Sequence, residues 1–128
     1  RMSGYFLPYE ALDDALTDLM LTLFRLPKEL ETIRDHIMRQ PYTKLDKKLL
    51  NSGLTCVKKL VSDSENELQK LINKLSDAGI PLADVKSDKQ PDRFQTKNIQ
   101  LWVVDYRKQE RILHDCTAVQ KALASSSN

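Results

Sequence analysis

Leucine and isoleucine recur through the first third of the chain at alternating steps of four and three: Leu12, Leu16, Leu19, Leu23, Leu26, Leu30, Ile33 and Ile37. That spacing lays apolar side chains along one stripe of an α-helix, as in a heptad seam. The register carries straight across Pro27, where a missing backbone donor and a ring clash predict a kink or a break. Because the register is continuous, we expect one kinked helix over roughly residues 8–39. A split into two helices at Pro27, raising the helix count to four, is the second choice. Pro8 suits a first turn, and Glu10, Asp13 and Asp14 suit the positive end of the helix dipole. Pro41 ends the element.

A second seam follows: Leu50, Leu54, Val57, Val61, Ser64, Leu68, Leu71 and Leu75, widened by Leu45, Leu49, Leu60 and Ile72. Thr43-Lys44-Leu45-Asp46 has the form of a capping box with Thr43 as N-cap. At the other end, Gly79 fits the left-handed position after a helix, Ile80 can return onto Leu75, and Pro81 blocks continuation. The spacing therefore predicts a helix over about residues 43–78. Residues 80–95 carry Pro81, Pro91 and alternating charges and read as a loop pinned by Leu82, Val85 and Phe94. The third helix runs over about residues 96–123, through Trp102, Tyr106, Gln109, Leu113, Cys116, Gln120 and Leu123. Ile99 and Val103 flank one side of this seam, and Ile112 and Val119 the other. Residues 124–128 read as a frayed tail. Three helices of similar length with a short first connection predict an all-α, antiparallel up-down-up bundle, one domain over residues 1–128.

Composition agrees: 3 Gly and 5 Pro are too few for the turns of an all-β chain. A formal net charge of +2 gives little general drive toward nucleic acid or anionic lipid. Cys56 and Cys116 lack the number and spacing of a disulfide framework or zinc site, so we expect free thiols and a reducing, cytoplasmic setting. One Cys56–Cys116 bridge remains open. The apolar run Leu19–Leu26 is interrupted by Thr22 and Arg25, and Tyr5–Leu7 is too short for a signal core, so neither a membrane span nor a secretory leader is expected.

The residues that could carry chemistry have plainer explanations. Lys44, Lys47, Lys48, Lys58 and Lys59 make a basic strip that could meet phosphates, yet they lie opposite the leucine seam, where a solvated face belongs. Arg107, Lys108 and Arg111 neighbour Trp102 and Tyr106, but the aromatics sit in the seam and the cations mostly outside it. His114-Asp115-Cys116 holds nucleophile and base types on side chains about 100° apart, which do not converge on one atom. His36 and His114 have no ligand spacing with the cysteines, and Glu10, Asp13, Asp14 and Asp18 lack the Glu-x-x-His pairs of a bundle metal site. We expect no enzyme, cofactor or metal.

One feature exceeds the plain account. Leu19–Phe24 and Leu101–Val104 are apolar nearly all round, so a bundle would leave Leu21 and Val104 facing outward. Either the Tyr5-Phe6-Leu7 segment covers them or a partner does. The outline resembles spectrin-type repeats and syntaxin N-terminal bundles, a likeness that implies no specific function. The expected role is a non-catalytic adaptor or scaffold that binds a partner helix or self-associates through an apolar groove. The expected anchors are Tyr9, Met20, Leu21, Phe24, Trp102, Val104 and Tyr106. The alternative is an anionic ligand, nucleic acid or an acidic membrane surface, on the Lys44–Lys59 face.

Overall fold

The heptad register runs unbroken through Pro27, but the helix does not. In the computed structural model, which describes residues 9–126, α1 spans Glu10–Leu23 and α2 spans Lys28–Arg39. Phe24 takes a left-handed conformation at φ 70° and Pro27 is extended at ψ 152°. A residue ahead of proline is steered out of the helical region, so the turn absorbs the whole segment rather than bending it. The expected single kinked helix is thus two helices. The register survives because Leu26, Leu30, Ile33 and Ile37 still point into the interior that Leu12, Leu16 and Leu19 share.

Helix α3 spans Lys47–Asp77 and starts later than the Thr43 capping box suggests. The Tyr9 hydroxyl donates to the Thr43 carbonyl and accepts from the Leu45 N–H, both at 2.8 Å, so these backbone groups serve a tertiary tie instead of a helical turn. Asp46 is the actual N-cap and accepts from the Lys48 N–H. At the other end the C-terminal motif forms as expected: Ile80 N–H donates to Leu75 and Gly79 N–H to Ser76, with Gly79 at φ 79°. The segment read as a loop contains a one-turn helix, α4 (Leu82–Val85), and a 3₁₀ turn at Pro91–Arg93. Val85 and Phe94 pin it, while Leu82 stays exposed. Helix α5 spans Lys97–Ser125, two residues beyond the expected end, and is capped by the Thr96 hydroxyl on Ile99 N–H at 3.2 Å.

The helices are arranged around an antiparallel α3–α5 hairpin. Gly53 of α3 faces Leu123 of α5, whereas Leu71 and Leu75 meet Ile99 and Val103. α1 lies antiparallel on the C-terminal half of α5, with Ala11 and Ala15 beside Ala118 and Ala122. α2 lies on the first half of α3, where Leu30 and Ile33 close on Gly53. One end of the molecule is therefore a four-helix core containing Leu16, Leu19, Ile33, Val57, Cys116 and Val119. The other is the hairpin end, where Leu75, Val103 and Tyr106 gather around Val85 and Phe94.

These two covers lie on opposite faces of the hairpin. On α3, Gly53 and Cys56 beside α2 occupy one flank, and Ile72 and Ser76 beside α4 occupy the other. Arg107 fastens the α4 segment: its Nε donates to Val85 O at 3.0 Å, and its Nη2 to Ser87 O at 3.0 Å and Lys89 O at 2.7 Å. Among the described residues there is no strand, and no helix is long and apolar enough to cross a membrane.

Candidate partner-binding surface

Helix periodicity fixes which part of α5 lies open. Asp115, Val119 and Ala122 lie in the stripe on which α1 rests. Stepping back by threes and fours, the same stripe continues through Arg111, Lys108, Val104 and Leu101. Helix α1 stops at Leu23, and the left-handed Phe24 turns the chain away. Leu101 and Val104 are consequently 54% and 44% exposed, on the face where no other described residue takes the place of α1. Val104 lies roughly 16 Å along the axis from Asp115, three helical turns past the end of the cover. On α3, Lys74 reaches over the Trp102 ring next to Leu101, and one turn earlier Lys70 pairs with Glu67 at 3.4 Å.

The sequence-predicted anchors fall in different places. Leu21 is 67% exposed, on the side of α1 opposite Leu12, Leu16 and Leu19, and Phe24 is 87% exposed at the corner after it. Both belong to α1 and the turn that ends it, not to the α5 stripe. Met20 is half-buried, with its sulfur 3.4 Å from Nη1 of Arg34. Tyr9 is engaged by Thr43 and Leu45. Trp102 is half-buried under Lys74, whose Nζ lies 6.0 Å from the ring centroid. Tyr106 is buried at the hairpin core and bonds Glu110, so it offers no surface; burial first, then that carboxylate, raise its hydroxyl pKa. Leu101, not singled out from the sequence, belongs to the same apolar run as Val104, and that run was the signal.

Arg107 is used by the α4 segment. The His114 ring nitrogen sits 3.5 Å from Asp115, but Cys116 is fully buried. Burial, then Asp115, then Cys56 push the Cys116 thiol up to about 11, which leaves it protonated rather than nucleophilic. Cys56 is also raised, by burial and Glu29 against an opposing Lys59, and both cysteines are free. Lys44, Lys47, Lys48, Lys58 and Lys59 are all exposed, with Lys59 paired to Asp63 at 3.1 Å. Among the described residues, no three of His, Cys, Asp or Glu gather in a way that could hold a metal ion. The Tyr5-Phe6-Leu7 segment lies outside the described residues. In comparisons with known proteins, no family model, no curated protein and no solved structure matches this chain.

Proposed function

We propose that this chain is a non-catalytic interaction module, an adaptor or scaffold element, that receives an amphipathic helix on the open face of the α3–α5 hairpin. The helix comes from a partner protein or from a second copy. The observation that carries this reading is the exposure of Leu101 and Val104 on the very stripe that α1 fills further along α5. A helix with leucines at heptad spacing would extend the four-helix arrangement along the hairpin, in line with α1. Covering two half-exposed aliphatic side chains yields only about 2–3 kcal/mol, which fits a transient partner better than an obligate one. Two unbridged cysteines fit a reducing compartment such as the cytoplasm.

The test uses a designed three-heptad helix with leucine at its a and d positions, titrated by calorimetry. The expected result is salt-insensitive binding that Leu101→Glu/Val104→Glu removes and Lys58→Glu/Lys59→Glu leaves alone. No binding, or binding indifferent to Leu101 and Val104, contradicts the proposal. Light scattering then separates a foreign partner from a second copy. The competing reading, an anionic ligand on Lys44, Lys47, Lys48, Lys58 and Lys59, draws on the exposure of all five. It predicts affinity that collapses with added salt.

A further inference from the structure

Residues 1–8 cannot cover Leu101 and Val104. Thr22 meets Asp115 on α5, and α1 runs back from there to Tyr9, about 20 Å further from Val104. Tyr9 and Val104 are thus roughly 35 Å apart along the bundle. Fully extended, residues 1–8 reach about 27 Å from Tyr9. At the other terminus Ser126 lies about 33 Å along α5 from Val104, and residues 127 and 128 cannot span that. No segment of residues 1–128 therefore closes the stripe.

The charges along the stripe set the character of an occupant. Lys97, Leu101, Val104, Lys108 and Arg111 follow one another at steps of four, three, four and three, so cations flank the two aliphatic side chains at both ends. All three cations are exposed. Beside Leu101, Lys74 of α3 reaches over the Trp102 ring. Glu67 pairs with Lys70 at 3.4 Å and Asp115 with Arg111 at 3.5 Å. Lys74, Lys97 and Lys108 have no carboxylate within ion-pair distance among the described residues. Against these three stands Asp105, exposed next to Val104.

A second copy fits this pattern badly. An antiparallel pairing that buries Leu101 of one copy on Val104 of the other sets Lys97 against Lys108 twice, and a parallel pairing sets each of these lysines against itself. Like charges so placed act against the pair, whereas carboxylates on a partner would complement them.

We infer, on the footing of the helix-binding role proposed above, that the open α5 stripe takes an acidic amphipathic helix from another protein. Its leucines cover Leu101 and Val104, and its flanking carboxylates accept hydrogen bonds from the ammonium groups of Lys74, Lys97 and Lys108.

The probes are three versions of the three-heptad leucine helix, with glutamate, glutamine or lysine at the e and g positions. Each is titrated into the full chain by calorimetry at low and at high salt. The glutamine helix reports the apolar contact alone and binds independently of salt. At low salt the glutamate helix should bind tighter than the lysine helix by about tenfold or more, the scale of a few exposed ion pairs, and lose that margin at high salt. Lys97→Glu/Lys108→Glu should reverse the order, so that the lysine helix binds tighter. Lys58→Glu/Lys59→Glu should leave the order as it is. All four positions are exposed, and circular dichroism checks that the variants keep their helices. Sedimentation of the chain alone should give a monomer at the concentrations of the titration. A dimer that Leu101→Glu dissolves, equal affinity for the three helices, or a glutamate preference that Lys97→Glu/Lys108→Glu does not reverse overturns the inference. Equal affinity leaves the helix-binding role standing, whereas failure of all three helices to bind removes that role and the acidic partner with it.

Discussion

The hydroxyl of Thr22 donates a hydrogen bond to the carboxylate of Asp115 across the seam between α1 and α5. Asp115 is only 3% exposed, and its other neighbours, Arg111 Nε and His114 Nδ1, approach no closer than 3.5 Å from exposed side chains. Exposed partners contribute little, so Thr22 is the group that matters to this buried acceptor. Thr22→Val should cost about 1–3 kcal/mol, because it strands a buried carboxylate. Thr22→Val/Asp115→Leu, which removes both members, should cost less than the sum of the single changes, as read by urea denaturation. Additive costs would show that the two residues do not act as a pair.

Cys116 gives the pH dependence. Folding keeps its thiol protonated up to about pH 11, whereas the ordinary thiol value is 9.0. Between those values the native state binds more protons than the unfolded chain, so stability falls as pH rises. The contribution is fully present below 9.0 and is lost through 11, with a size on the order of 2 kcal/mol. Comparing the wild type with Cys116→Ala across this interval isolates it from lysine and tyrosine titration. Thiol labelling should meanwhile modify Cys56 faster than Cys116, which reacts at the rate of unfolding.

Gly53 is where α2 closes on α3. A Cβ at this position would collide with the Cδ1 of Ile33, the end of a flexible side chain. The better helix propensity of alanine, about 1 kcal/mol, therefore opposes an overpacking cost of about 1–3 kcal/mol. Gly53→Val should destabilise clearly. Gly53→Ala should be more stable in an Ile33→Val background than alone, which thermal melts of the four proteins can check.

Phe24 combines two costs, a left-handed backbone and 87% exposure of an aromatic ring. Asparagine tolerates that backbone far better than a bulky residue does. Phe24→Asn should therefore leave stability unchanged or raise it by up to about 1 kcal/mol. A loss of stability would mean that the ring makes contacts that its exposure belies.

Much of this architecture was legible because helix periodicity is a local signal. The seams through Leu16 and Val57 point inward as their spacing requires, and Gly79 with Ile80 closes α3 as the sequence implies. On α5 the flanking Ile99, Val103, Ile112 and Val119 are buried with Tyr106, Cys116 and Leu123, whereas the seam positions Trp102, Gln109, Leu113 and Gln120 are only half-buried, because the two ends of α5 pack against different neighbours. Pro27 was misread for a physical reason: the heptad register reports which side is buried, not whether the backbone between two buried residues stays helical. Thr43 lost its capping role to a tyrosine 34 residues earlier, a tertiary contact no local pattern carries. The candidate surface was half legible. The run Leu101–Val104 announced an apolar excess, but which of its residues lay open depended on where α1 ended, and that was set by Phe24 and Pro27. Tyr106 resembled an anchor by residue type, yet its heptad position committed it to the core.

The central claim is that the α5 stripe lies open beyond α1 and takes a helix there. Its most direct test is a titration of the designed three-heptad helix into isotope-labelled protein, followed by amide chemical shifts. The account predicts changes concentrated around Leu101, Val104 and Lys108 of α5 and Glu67 to Lys74 of α3, with the Lys44–Lys59 segment unmoved. Changes confined to that basic segment, or to the α1 corner at Leu21 and Phe24, would contradict it.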